Sequence, residues 1–229
     1  MNDMYFIKKN IDRLYDGLYT NFLDIKYQNL IKSKLKINYN IFKPFDESEK
    51  VIFYTKTRPE ISLFEIKSYE KLRHQEIMGS IYSLGIDESL FGEIIIDNNR
   101  YFIYIFSNIE NDFINRFNMV SNKHISLEKI DIDYLKEYKR KYEEITFVSS
   151  SERIDTIVSR ITNINRKDIL NKIKNNEIIV NYEIVKSNSY ILKENDIFSI
   201  RKYGKYKYIG IQKNTKKDNY VIKIYKYIN

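Results

Sequence analysis

The reading of the fold turns on Ser149–Lys207, SSSERIDTIVSRITNINRKDILNKIKNNEIIVNYEIVKSNSYILKENDIFSIRKYGKYK. A serine run opens it, and a serine hydroxyl is able to cap a helix by accepting from an orphan backbone N–H. Ile154, Ile157, Val158 and Ile161 then recur at helical spacing and form one apolar stripe. Asn165 is placed to cap a second helix, with Asp168 three residues on, where a carboxylate suits the positive end of the helix dipole. Ile169, Leu170 and Ile173 supply the expected buried side of that helix. Arg153 and Arg160 fall on one side of the first helix; Arg166 and Lys167 start the second, and Lys167, Asn171 and Lys174 follow one flank of it. From Glu177 the period changes to two, in IIVN, DIFSIRKY and YKYIGIQ, so short strands follow.

The order Arg-Ile-Asp (153–155), Asn-Arg-Lys (165–167), IIVN (178–181) and NDIFSIRKYGKYKY (195–208) resembles the S4 RNA-binding domain. That module usually reads R-L-D, S-R, V-x-V-N-G and G-D-x-[IV]-S-[IV]-R-G. The resemblance implies two helices packed on a bent sheet, with RNA held by Arg153, Arg160, Asn165, Arg166, Lys167, Asn171, Lys174, Arg201, Lys202 and Lys205. Asn176 and Asn195 stand where glycine is common, and asparagine tolerates a positive φ better than most residues. Tyr182 replaces the usual turn glycine, which predicts a different turn there.

The 229 residues carry a net charge of +8. Residues 150–229 hold 17 Lys+Arg against 8 Asp+Glu, a charge of +9, while residues 1–149 hold 22 against 23, a charge of −1. Segregation of this kind points to a polyanionic partner for the last third. The chain has no alanine, cysteine or tryptophan, a bias that reads as an AT-rich genome. Disulfides, thiolate metal sites and cysteine nucleophiles are thereby excluded. His74 and His124 lie fifty apart with no ligand spacing around them, so no metal or cofactor is expected. There is no apolar run of about 18 residues and no signal-peptide pattern, so a cytoplasmic protein without a membrane partner is expected.

Residues 1–41 read as an N-terminal helical segment, with Met4, Ile7, Ile11 and Leu14 on one face and Phe22, Ile25, Leu30, Ile31 and Leu35 on another. Residues 42–131 read as strand (VIFYTK), turn at Pro59, strand (SLFEIKSY), helix from His74, strand (GEIIID), Asn98-Asn99 turn, strand (YFIYIF), helix (NIENDFINRF) and strand (HISLEKI). Without the first strand this is βαββαβ, the ferredoxin-like (RRM-like) order. The RRM aromatic fingerprint is missing, so Tyr101, Phe102, Tyr104 and Phe106 are expected to pack against helices. Residues 132–148 read as a charged helical or extended connector, and 149–229 as the S4 domain. The fold class is α+β.

The stretch HQEIMGSIYSLGIDESLFGEI (74–94) resembles a pattern of the YlmH family, H-R-D-[FY]-L-G-x-[LIM]-x-x-L-G-I-x-R-E-x-x-G-D-I. Gly85 fits a helix C′ position, and Gly79, mid-helix, is expected to mark close packing. Gln75, Glu76 and Asp87-Glu88-Ser89 depart from the pattern, and a structural role is expected for His74. The family is bacterial, with a central RNA-binding domain followed by an S4 domain, an order matched here from Phe42 to the C-terminus.

No P-loop, no G-x-S-x-G and no histidine pair for acid–base work occurs, so an enzyme is not expected. The residues alone point to a binder of folded RNA through phosphate contacts. Membership of the YlmH family would imply a monomeric protein bound to rRNA and tRNA on the large ribosomal subunit, acting on stalled subunits that carry peptidyl-tRNA in ribosome-associated quality control. The alternative class is a scaffold linked to cell division, with RNA binding secondary and the neutral N-terminal part as its working surface.

Overall fold

In the computed structural model, which describes residues 3–216 and 218–228, the chain begins with two helices, α1 (Asp3–Tyr15) and α2 (Ile25–Lys34). The Asp24 carboxylate caps α2 by accepting from the Tyr27 N–H at 3.0 Å. Phe6, Ile7, Leu14, Leu23 and Ile31 form a small core with Val51 and Phe53. Met4, expected on the buried face, is instead 73 % exposed. The strand predicted around Val51 does not join the main sheet: β1 (Asn40–Phe42) pairs antiparallel with β2 (Ile52–Tyr54) as a separate ribbon.

The main sheet of this first unit follows in the order β3 (Ile61–Lys67), α3 (His74–Ser83), β4 (Phe91–Asp97), β5 (Arg100–Phe106), α4 (Glu110–Arg116), β6 (Met119–Val120), β7 (Lys123–His124) and β8 (Ser126–Ile130). Its strands lie side by side as β4-β5-β3-β8, every neighbour antiparallel. Asn98 and Asn99 both take positive φ, +49° and +62°, the geometry of a two-residue hairpin turn. Alternation along β5 divides its aromatic and aliphatic residues between two cores. Tyr101, Ile103 and Ile105 meet α3 and α4 residues such as Ile77, Ile81 and Phe113. Phe102, Tyr104 and Phe106 meet Phe22, Phe45 and Leu135 on the other side. Thus three of the four aromatics expected against helices pack under irregular segments. The Tyr104 hydroxyl ties two of these segments down, donating to the carbonyls of Pro44 (3.2 Å) and Ile132 (3.3 Å).

Residues 132–148 are no free-standing connector. Leu135 is buried in the core of the first unit, whereas β9 (Tyr142–Ser149) is the edge strand of the second. The chain divides into two compact units between Lys139 and Arg140.

The second unit continues with α5 (Ile154–Thr162), α6 (Arg166–Lys174), β10 (Ile178–Val180), β11 (Glu183–Ile184), β12 (Ile197–Ile200), β13 (Gly204–Asn214) and β14 (Tyr220–Tyr227). Its antiparallel sheet runs β11-β10-β12-β13-β14-β9. Ile154, Ile157 and Val158 of α5 and Ile169 and Ile173 of α6 are buried on one face of that sheet against Phe198, Tyr206, Tyr208, Ile222 and Ile224. Each such side chain is worth about 1.5–3 kcal/mol of burial. Leu170, expected inside, is 39 % exposed.

Candidate nucleic-acid interface

The start of α5 is built differently from the expected serine cap. Its N-cap residue is Arg153, with no side-chain cap. The serines shape the preceding turn instead: Ser149 Oγ donates to the Ser151 carbonyl at 2.7 Å and Ser151 Oγ accepts from the Arg153 N–H at 3.1 Å. This turn delivers the Arg153 side chain to Asp155, which it grips with two bonds, Nε–Oδ1 3.1 Å and Nη2–Oδ2 2.9 Å. Asp155 is itself buried. Burial pushes its carboxyl up, but the Arg153 hydrogen bonds and the charges of Arg153 and Arg166 outweigh that and hold it below the usual carboxylate range.

Arg166 reaches this point from the neighbouring helix. Asn165 caps α6, accepting from the Asp168 N–H at 2.9 Å, so Arg166 is the first helical residue. Its Nη2 donates to Thr156 Oγ1 of α5 at 3.3 Å. Two arginines from two helix starts thus reach adjacent residues of α5, Arg153 binding the buried Asp155 carboxylate and Arg166 binding Thr156 and adding its charge, with exposed Lys167 next in sequence. A carboxylate oxygen saturated by one arginine leaves guanidinium N–H groups directed outward, the geometry that suits phosphate.

A second basic node lies toward the other end of α6, at Lys172, about 9 Å along the axis from Arg166 at 1.5 Å per residue. Lys172 Nζ lies 2.7 Å from Glu177. The Arg201 N–H donates to the Glu177 carbonyl at 2.9 Å. The Lys172 bond, with the charges of Lys172, Arg201 and Lys202, holds the Glu177 carboxyl below its ordinary value. Arg166, Lys167, Asn171 and Lys174 are exposed along the helix between the nodes, and Arg160 is exposed in the last turn of α5. One expected member falls elsewhere. Lys205 alternates with Tyr206, whose ring is in the helix-side core, so Lys205 points to the opposite face of the sheet, 5.0 Å from the Tyr227 ring.

Backbone geometry matches several substitutions for glycine. Asn176 and Asn195 have φ of +57° and +70°. Asn181 and Tyr182 take +49° and +66°, so the tyrosine adopts a left-handed turn rather than replacing it. Lys202 at +73° was not anticipated, although it occupies the last position of the R-G pair in the S4 pattern. Asp155, Lys172 and Glu177 were missed as organisers of the cations. The Arg-Ile-Asp spacing carried the signal for the first, and Glu177 had none.

In the first unit, Gly85 has φ +74° at the end of α3, as its C′ position requires. Gly79 is exposed, with nothing within 4 Å of where a Cβ would stand, so close packing is not its reason. His74 is half-buried at the first position of α3. Both faces of the β4-β5-β3-β8 sheet are covered, so its aromatics offer no base-stacking surface. Among the described residues no three His, Asp or Glu are grouped to hold a metal ion, and no helix is long and apolar enough to cross a membrane.

Comparison with known proteins gives three likenesses. Residues 56–134 match the family described as "Putative RNA-binding domain in YlmH". The chain is 23 % identical over 227 residues to "Ribosome-associated protein quality control protein P2" of Bacillus subtilis (strain 168), covering 93 % of this chain and 88 % of the relative. Among solved structures, "Cell division protein ylmH from Streptococcus pneumoniae" aligns at 25 % identity with a TM-score of 0.48, over 59 % of this chain and 95 % of that one.

Proposed function

The chain belongs to the YlmH family, and on that premise we propose that it is a ribosome-associated RNA-binding protein. It docks on rRNA and tRNA of the large subunit, on stalled subunits carrying peptidyl-tRNA, without catalysing a reaction. The B. subtilis relative's name supports the ribosome-associated quality-control setting, and the setting is cytoplasmic. In this reading the first unit's βαββαβ sheet is the ferredoxin-like domain of the family and the second unit is its S4 domain.

The observation that carries the reading is that Arg153, bound to Asp155, and Arg166, bound to the adjacent Thr156, are held at neighbouring helix starts in the part of the chain that holds all the excess positive charge. Cations locked to a rigid frame match phosphates at fixed spacing, which folded RNA offers and a flexible strand does not. The near-neutral first unit adds contacts that raise avidity without adding charge.

The test is sedimentation of the purified protein with 50S subunits, with and without peptidyl-tRNA, at near-physiological salt. Co-migration is expected to be strongest with tRNA-bearing 50S and to fall when Arg153 and Arg166 are both replaced by alanine. Equal pelleting with 30S subunits, or none with any subunit, overturns the assignment. Retention of a protein partner by the first unit after RNase treatment would favour the scaffold reading instead.

A further inference from the structure

The −1 charge of the first 149 residues conceals a division of its own. Residues 1–36 hold 7 Lys+Arg against 4 Asp+Glu, a charge of +3, while residues 37–149 hold 15 against 19, a charge of −4. The positive share belongs to the helix pair α1 and α2 and the residues around it. Lys8, Lys9, Lys34 and Lys36 are exposed, and among the described residues none of them is ion-paired. Two of the four carboxylates are committed within the pair: Asp3 accepts from Lys26 and Tyr27, and Asp24 caps α2. α1 also carries more apolar surface than its core covers. Phe6, Ile7 and Leu14 are buried, but Tyr5 is 61 % exposed and Ile11 only half-buried. Met4, Tyr5, Ile7, Lys8 and Ile11 of α1 line a groove of about 350 Å³ together with Lys34 of α2.

Exposed apolar side chains scattered singly need no partner. Here they line one groove, and the lysines at it lack counter-charges. From Met4 to Ile11 the groove follows α1 for about 10 Å at 1.5 Å per residue, the length of two helical turns. An amphipathic helix laid in such a groove inserts apolar anchors spaced i, i+4 and i+7. Flanks of that helix that face unpaired lysines are complementary when they are acidic. Single-stranded RNA carries the same charge but needs ring faces for its bases, and the lining offers one ring, Tyr5. A bilayer takes up a protruding apolar face, whereas the buried Ile7 lies recessed in the groove. We propose that this groove docks an acidic amphipathic helix of a partner protein, its aliphatic side chains against Ile7 and Ile11 and its carboxylates at Lys8 and Lys34. The contact lies wholly within the first unit and stands without the RNA edge of the second.

The experiment titrates the full chain into a fluorescein-labelled peptide of glutamate and glutamine with leucines at i, i+4 and i+7, about 18 residues long so that it is helical. One control peptide has lysine for each glutamate and another has alanine for each leucine. The acidic leucine peptide is expected to bind, and each control to bind at least about fivefold more weakly. Lys8→Glu with Lys34→Glu is expected to weaken the acidic peptide at least about fivefold while the melting temperature and the binding of a stable RNA hairpin hold. Should that double reversal fail to fold, Lys8→Gln with Lys34→Gln is expected to shift the peptide affinity in the same direction. No binding of the acidic peptide, equal binding of the alanine control, or unchanged binding in both double variants overturns the proposal. Hairpin binding that falls together with peptide binding would make these lysines part of an RNA grip and overturns it too. So does lysine-dependent co-sedimentation with phosphatidylglycerol vesicles in place of peptide binding, which would mark a lipid-facing surface. Arg153→Ala with Arg166→Ala is expected to lower 50S binding and to leave the peptide affinity intact, so the two sites fail separately.

Discussion

Lys202 holds φ at +73° with a full side chain, in the turn between β12 and β13. Left-handed backbone at a non-glycine residue costs on the order of 1 kcal/mol, and glycine relieves it. Lys202→Gly is therefore expected to raise thermal stability by about that amount while weakening RNA binding through loss of one ammonium. An unchanged melting temperature would count against the strain. Asp155 makes a sharper case. If charge alone governed RNA affinity, Asp155→Asn would strengthen binding by removing a negative charge. Because Asp155 is the buried partner that holds Arg153 in place, with the Arg166 charge nearby, the substitution is expected to weaken RNA binding and to cost about 1–3 kcal/mol of stability. Titrating RNA into wild type and Asp155→Asn decides between the two by the sign of the change.

At the scale of elements, β3 carries Glu65 almost fully buried, 3 % exposed, between buried Phe64 and Ile66. Arg100 on the neighbouring strand donates to it at 2.8 and 2.6 Å, and Lys67 lies 2.8 Å away. The Arg100 bonds outweigh desolvation, and with Lys67 they hold the carboxyl at about 2. A carboxyl depressed in the folded state contributes stability that is complete above the unfolded value, near 4.5, and is lost as pH falls toward 2. The contribution is on the order of 3 kcal/mol. Melting curves of wild type and Glu65→Gln are expected to lie apart at pH 7, wild type higher, and to converge between about pH 4.5 and pH 2. A constant gap across that window would show that the pair is not the source. The same strand pairing places Arg100 over Phe102 and Tyr134, so the ion pair also closes the edge of the core.

Over the whole molecule, the charge separation predicts how affinity responds to salt. With about four to six phosphates engaged by the basic nodes of the second unit, log K is expected to fall against log salt with a slope of roughly −3 to −5. Affinity that barely moves between low and high salt would reject an electrostatic grip. The first unit, of near-neutral charge, is expected to leave that slope unchanged when its surface charges are altered, because counterion release counts only cations at phosphates.

The helix periods, the Asn165 cap, the α+β class, the asparagines at left-handed positions and the basic last third were all legible along the chain, because each depends on neighbours within a few residues. Tertiary structure alone decided the rest. It brought Arg166 to Thr156, next to the Arg153–Asp155 pair, since only helix packing brings α6 back to the start of α5. It assigned residues 132–138 to one core and 142–149 to another sheet, because a charged stretch without glycine or proline carries no local sign of which surface will accept it. It buried the β5 aromatics on both faces, where strand alternation says only that two faces exist. It also turned Lys205 away from Arg201 and Lys202. Alternation fixes which residues share a side, but whether that side meets helices or a tyrosine row depends on strand neighbours far off in sequence.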